Sequence, residues 1–489
     1  MAGPQRGRTP PSRVRRRDQS GALMHKVGYL VVAVILASAG LAQAGVIPSV
    51  GSGSDSAAHG MLAPPGPSLR LATVPAPSPV LDAGSGQTPI SKARLQDHLA
   101  KALAQHGLGP RLGFAVASLG APDLLWSSGP GVVTPASTMK LLTTSAALSV
   151  LGPAARFTTS VVEGADAGSI VLVGGGDPLL AATRPSPSAA GYPAPATLQD
   201  LAQRTADRLR SEGRSVVRLS YDVSLFSGPA VNPRWPATYL PENVVSPISA
   251  LWVNEGREKP GLAQRSADPA RAAAAVFGQL LERAGIKVRG GISEGPAPVP
   301  QTLVSSVVSA PLEEVVQHIL EASDNEGTEV LLRQVAIAAG RPGSFDAGVT
   351  AVRSALTSLG LDLSGATFYD GSGLSRQDRL PVSLLIRVLQ TAADPAHPDL
   401  HGVVTSLSVA GFTGSLGDRF AEDAPDGLGY VRAKTGTLTG VHALAGLAFT
   451  RDGQVLVFAA VADRVSPLKG LDAEDDLDRI AAALSTCGC

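Results

Sequence analysis

Between Val27 and Ile47 the chain runs for 21 residues without a charged side chain, and this stretch decides where folding can begin. At 1.5 Å per residue a helix of that length spans about 30 Å, the hydrocarbon thickness of a bilayer. Arg6, Arg8, Arg13, Arg15, Arg16, Arg17 and Lys26 precede it against a single acid, Asp18. Positive charge on that side predicts that residues 1–26 are a basic cytoplasmic tail and that everything beyond residue 47 lies outside. Ala42-Gln43-Ala44 also has the small-residue form of a signal cleavage site, so residues 27–47 read as a transmembrane anchor or as a signal peptide. Both readings export the rest of the chain. The expected location is therefore extracytoplasmic, in the cell envelope, either anchored to the cell membrane by the N-terminal helix or cleaved and secreted.

Residues 48–89 are dominated by Pro, Gly, Ser and Ala without periodicity, the composition of an extended linker. The chain continues to residue 489, too far for one core of ordinary size. Lys plus Arg equals Asp plus Glu, 41 each, so no overall basic field argues for nucleic acid. The two cysteines, Cys487 and Cys489, are too close in sequence to staple a core, and alone they make a poor metal site. They read as tail residues that oxidise after export.

From Ile90 the periodicity predicts a helix over Leu95–His106, strands over Arg111–Leu119 and Asp123–Ser128, and a helix opening at Thr134-Pro135. From Phe157 to Leu303 the texture changes to short strand-like runs broken by Gly and Pro, with helical spacing near Thr197–Glu212 and Pro269–Ala284. That change predicts an inserted mixed α/β domain over residues 157–303 within a domain made of residues 90–156 and 304–489. Helices are expected over Pro311–Ala322, Glu326–Ala339 and Asp472–Leu484, with a hairpin turning at Arg451-Asp452-Gly453.

Three short elements carry chemistry. In Ser137-Thr138-Met139-Lys140 a hydroxyl and an amine stand three residues apart at a helix start, so they share a face. Burial would strip the lysine of its proton and let Lys140 act as base toward Ser137. Ser466-Pro467-Leu468-Lys469 repeats the spacing, but a proline inside it and its place before the last helix mark it as solvent-facing. Ser323-Asp324-Asn325 offers a second hydroxyl and an amide, suited to relaying a proton and holding a peptide carbonyl; helix capping is the bland account, and the two are compatible. Lys434-Thr435-Gly436 joins a cation, a hydroxyl and a missing side chain at the start of a predicted strand, a place for a carboxylate close to the backbone. The chain holds only eight lysines and four asparagines, so two lysines and one asparagine falling in these elements is informative. In the order Ser-x-x-Lys, Ser-x-Asn, Lys-Thr-Gly they form the motif set of penicillin-binding proteins and β-lactamases.

With the longer strings LVGGGDPLL at Leu172–Leu180, YDGSGLSR at Tyr369–Arg376 and VRAKTGTLTGVHALAG at Val431–Gly446, the chain resembles the D-alanyl-D-alanine carboxypeptidase/endopeptidases of the class C, low-molecular-mass penicillin-binding proteins. The resemblance covers roughly Ile90 to Leu484. It implies an α/β (α+β) fold, a transpeptidase or serine β-lactamase-like domain with an antiparallel sheet flanked by helices, interrupted by an inserted domain that is short for that family. It also implies a serine-type D-Ala-D-Ala carboxypeptidase and/or DD-endopeptidase that acts on peptidoglycan stem peptides through an acyl-enzyme and is acylated by β-lactams, without metal or cofactor. Ser137 is then the nucleophile, Lys140 the general base, and Ser323 the second catalytic hydroxyl. Asn325, Lys434, Thr435, Gly436 and Thr437 bind substrate, with the Ser137 and Thr437 N–H groups as oxyanion hole. The Asp370-Gly371-Ser372-Gly373 segment is expected to be a tight turn near the site with no chemical step. A serine β-lactamase and a non-catalytic wall-binding relic are the two rival readings.

Overall fold

A computed structural model describes residues 90–185 and 192–489, all of which fall in one compact unit. The tail, the uncharged stretch and the linker, residues 1–89, lie outside the described residues. Among the described residues no helix is long and apolar enough to cross a membrane.

The main sheet has six antiparallel strands in the order Ser408–Val409, Val431–Leu438, Val441–Phe449, Val455–Ala462, Leu112–Ser118, Leu124–Ser128. Alternation along its strands splits their side chains between two cores. Ala115, Ala117, Ala443, Ala445, Val457 and Ala459 face one core, and Phe114, Val116, Leu444, Leu456, Phe458 and Ala460 face the other. The first core is filled by the helices Lys140–Leu151, Leu312–Ala322, Asn325–Ala338, Phe345–Ser358 and Val382–Ala393; the second by Lys92–Leu103 and Gly470–Ser485. The α/β fold with helices on both faces of an antiparallel sheet is the one the sequence implies.

Two of these helices, Phe345–Ser358 and Val382–Ala393, have no counterpart in the sequence reading. Gly348 and the β-branched Val349, Thr350 and Val352 weaken the helical signal of the first. Its start was nevertheless written in Ser344, whose hydroxyl accepts the Ala347 N–H at 3.3 Å.

A second, mixed sheet runs Lys287–Val288, Val216–Asp222, Ser169–Val173, Thr158–Glu163, Leu303–Val308, with Ser293–Glu294 also pairing with Val216–Asp222. Ser169–Val173 and Val216–Asp222 are parallel, joined by the helix Leu198–Ser211, which packs with Pro269–Arg283 over the sheet. The first and last long strands of this segment are antiparallel neighbours, Thr158 opposite Val308, so the chain leaves and returns at one place.

The C-terminus differs from the expected loose tail. Cys487 is buried in the second core, Cys487 and Cys489 are joined in a disulfide, and the Cys489 carbonyl accepts the Ser91 N–H at 2.9 Å.

Candidate active site

The helix Lys140–Leu151 explains why one lysine differs from the rest. Every residue from Lys140 to Leu148 is buried, so this helix is covered all round, as an apolar helix inside a fold must be. Two of its hydroxyls are satisfied within the helix, Thr144 donating to the Lys140 carbonyl and Ser145 to the Leu141 carbonyl, both at 2.7 Å. A short 3₁₀ turn, Ala136–Met139, leads into it, with Ala136 in the left-handed region at φ 47°. That turn lifts Ser137 to a partly exposed position directly above the buried amine.

Lys140 Nζ lies 3.0 Å from Ser137 Oγ, 2.7 Å from Asn325 Oδ1 and 2.9 Å from the Ser372 carbonyl. Complete burial pushes the lysine down to about 8, against the charges of Asp324, Glu329, Asp370 and Glu326, which favour its ammonium form. A neutral amine has two N–H groups and one lone pair. With Asn325 Oδ1 and the Ser372 carbonyl accepting the two hydrogens, the lone pair is left facing the Ser137 hydroxyl.

The second element sits in the break between two helices. Ser323 ends Leu312–Ala322 in the left-handed region, φ 57°, partly exposed. Asp324 caps Asn325–Ala338, its Oδ1 accepting the Gly327 N–H at 3.0 Å. Burial first, then Glu255 and Glu326, push the Asp324 carboxyl up to about 8. Capping thus belongs to the middle residue of the element and leaves Asn325 to reach Lys140, with Ser323 in the turn two residues before it.

Lys434, Thr435, Gly436 and Thr437 lie on Val431–Leu438, paired with Val441–Phe449 on one side and beyond the short pairing with Ser408–Val409 on the other. A Cβ on Gly436 would stand 3.0 Å from the Pro135 carbonyl and 3.2 Å from the Ser137 nitrogen, so only glycine lets this strand run so close to the nucleophile's backbone. Lys434 is fully buried, its Nζ donating to the Thr435 carbonyl at 3.0 Å, and burial together with Lys140 lowers its proton affinity. The Thr435 hydroxyl donates to Ser415 Oγ at 2.8 Å, and exposed Thr437 reaches Glu474 at 3.3 Å. A cavity of about 450 Å³ opens beside Ser415, lined also by Gly414, His318, Glu321 and Ala322.

The structure thus brings Lys140 into hydrogen-bond reach of Ser137 and Asn325, and sets the Lys-Thr-Gly strand against Ser137. The duplicate spacing is elsewhere: Ser466 and Lys469 are exposed on a separate 3₁₀ turn. Two participants, Ser415 and Glu329, escaped the sequence reading, and two more, Ser372 and Asp370, were read only as a turn near the site. Ser415 is an ordinary loop serine by type, and Ser372 acts through its backbone carbonyl, which no side-chain pattern displays. Glu329 accepts the Gly371 and Ser372 N–H groups at 3.1 and 2.8 Å, and Asp370 accepts those of Gly373 and Ser375 at 2.8 and 2.6 Å. The turn at Asp370 is therefore part of the site's framework. Asn325, Glu329 and Arg333 fall four residues apart on one helix, a buried polar stripe that spacing alone could have flagged.

Residues 95–264 and 256–484 match the D-Ala-D-Ala carboxypeptidase 3 (S13) family. The chain belongs to the S13 family. Its S13 relatives include Carboxypeptidase DacB of Mycolicibacterium smegmatis, 37% identical over 97% of this chain and 98% of that one. Carboxypeptidase Rv3627c of Mycobacterium tuberculosis is 36% identical over 87% and 90%. The crystal structure of penicillin binding protein 4 (dacB) from Haemophilus influenzae covers 81% of this chain and 100% of its own at 21% identity with a TM-score of 0.64, a likeness of fold. As an S13 member the chain is a peptide hydrolase, a serine-type D-Ala-D-Ala carboxypeptidase in class.

Proposed function

We propose that Ser137 attacks the carbonyl of a penultimate D-alanine in peptidoglycan stem peptides and carries the acyl group until water releases it. The placement of Lys140 is the observation that carries this reading: a buried amine 3.0 Å from a partly exposed hydroxyl, with acceptors at Asn325 and Ser372 for its two hydrogens once it is neutral. Lys140 takes the Ser137 proton as the C–O bond forms. As the C–N bond breaks, Ser323 hands a proton to the leaving amine and takes in its place the one that Lys140 removed from Ser137; Asn325 holds the substrate amide, and the Ser137 and Thr437 N–H groups receive the oxyanion. Thr435 and Lys434 receive the carboxylate of the leaving residue, whose charge restores the proton affinity that burial takes from Lys434.

β-Lactams, whose strained amide imitates the same bond, acylate the same serine. The endopeptidase reaction, in which a cross-linked partner stem leaves in place of D-alanine, uses the same residues. The uncharged stretch Val27–Ile47, with its arginine-rich approach, supports a catalytic part held outside the cell membrane. Fractionation would place the full chain with membranes and a chain lacking residues 1–47 in the soluble fraction.

The deciding experiment incubates wild type and Ser137→Ala with a D-Ala-D-Ala pentapeptide, with cross-linked muropeptide dimers and with penicillin, followed by mass spectrometry. Wild type releases D-alanine or splits dimers and gains a penicillin adduct on Ser137. The variant gains none and loses roughly six orders of magnitude in rate. Rapid release of the penicillin adduct would favour a β-lactamase, and no turnover of any substrate would leave a binding relic.

A further inference from the structure

The loop Tyr369–Ser375 is tied down from every side although it touches no substrate group named above. Its Gly371 carbonyl accepts the Thr143 hydroxyl at 2.8 Å, from the helix of Lys140. A Cβ on Gly373, at φ 82°, would fall 1.9 Å from the Ala136 carbonyl, so the loop lies flat on the turn that carries Ser137. Glu329 holds the Gly371 and Ser372 N–H groups, as described, and Asp378 Oδ1 accepts the Tyr369 N–H at 3.0 Å. The remaining ties come from the 157–303 segment. Trp235 Nε1 donates to Asp370 Oδ2 at 2.7 Å, and Asn232 Nδ2 donates to the Tyr369 carbonyl at 2.8 Å. Asp370, Ser372, Glu329 and Asp378 are completely buried.

A loop so held presents one group to the reaction, the Ser372 carbonyl on Lys140. We propose that this loop is a positioning clamp for the catalytic amine, in which Glu329 sets the Ser372 carbonyl and Trp235, from the inserted segment, locks the loop against it. The inserted segment is then part of the machinery that aims the base. This rests on the acyl-transfer reading above. If the Ser372 carbonyl drifts, the lone pair turns from Ser137, and the loss falls on acylation while substrate binding is untouched.

Charge separates positioning from mere structure. Asp324, Glu326, Glu329 and Asp370 face the Lys140 amine, with Lys434 as the opposing cation. Burial and then Asp370 push Glu329 itself up to about 8, so it favours the ammonium form of Lys140 only to the extent that it is ionised there; neutralising it lets Lys140 become neutral at somewhat lower pH. A carboxylate that only braced the fold would leave that pH unmoved when replaced by an amide able to accept the same N–H groups.

The test measures second-order acylation by a fluorescent penicillin from pH 5 to 10, with kcat and KM on a D-Ala-D-Ala pentapeptide and thermal melting, for wild type, Glu329→Gln and Trp235→Phe in the full chain. Glu329→Gln should shift the acid limb of acylation down by about half a pH unit, since Glu329 is itself pushed up to about 8 and is only partly ionised there. Trp235→Phe should lower kcat and the maximal acylation rate about 3- to 10-fold at constant KM, with the protein folded at the assay temperature. An unmoved limb in folded Glu329→Gln, or wild-type rates in Trp235→Phe, overturns the proposal; if Glu329→Gln does not fold, Trp235→Phe decides alone. Absence of a Ser137 adduct on wild type overturns the acyl-enzyme reading and the clamp with it, whereas an adduct with unmoved limb and rates overturns the clamp only.

Discussion

At the scale of the residue, Lys140 governs. Its proton affinity is set by burial pulling down and four neighbouring carboxyl groups pulling up, with burial the larger. The amine is a base only when neutral, so acylation of the free enzyme should rise with pH through a midpoint near about 8. Stopped-flow acylation across that range checks this; a midpoint near the ordinary lysine value would mean that the amine is solvated or not the base. The residue types at the motifs were legible because their chemistry is rare in combination: a lysine three after a serine, an asparagine two after another, a lysine before threonine and glycine. What stayed hidden was what holds Lys140 in place. A backbone carbonyl has no letter in the sequence, and Glu329 and Asp370 look like any two acids until folding buries them face to face.

At the scale of the element, the strand Val431–Leu438 and the turn Ala136–Met139 meet without a side chain between them. Gly436→Ala would place a methyl within 3.0 to 3.2 Å of the Pro135 carbonyl, Ala443 Cβ and the Ser137 nitrogen. The strand must yield by a few tenths of an ångström, at a cost of about 1–3 kcal/mol in stability. Because the displaced edge is the oxyanion side of the proposed site, acylation should fall by at least about 10²-fold while a folded melting transition survives. Equal, small losses in both would show that strand and turn can part without consequence. The sequence announced this strand through its hairpin partner and its glycine, and it announced the helices with strong apolar spacing. Of the two it concealed, Phe345–Ser358 has β-branched residues and an internal glycine, where tertiary packing outweighs propensity; Val382–Ala393 is the exception, with regular apolar spacing and no glycine.

At the scale of the whole molecule, the two sheets are bound by buried polar contacts as well as apolar ones. Arg333 is buried between the Phe226 and Phe345 rings and donates to the carbonyls of Ser227, Pro229 and Gly343. Gln334 donates to those of Gly175 and Gly176, next to Asp177, whose carboxyl burial raises from 3.8 to about 7. Folded Asp177 keeps its proton where the unfolded chain has lost it. Its contribution to stability is therefore full below pH 3.8 and lost as pH rises through about 7. Asp177→Asn still offers an oxygen to the Leu179 N–H and removes the buried charge, so it should gain up to about 4 kcal/mol at pH 8 and much less at pH 5. Denaturant melts at the two pH values test this, and an equal shift at both would rule it out. The main sheet, finally, pairs Leu112 with Ala462, opposite ends of the folded chain. A ribosome delivers Ser137 early, Asn325 far later and the Lys-Thr-Gly strand near the finish. Long-range pairing of this kind is slow to form. An unfinished copy therefore carries its nucleophile unarmed, and hydrolysis waits for the last strands to be made, so the order of synthesis itself works as a safety catch on a potentially destructive enzyme.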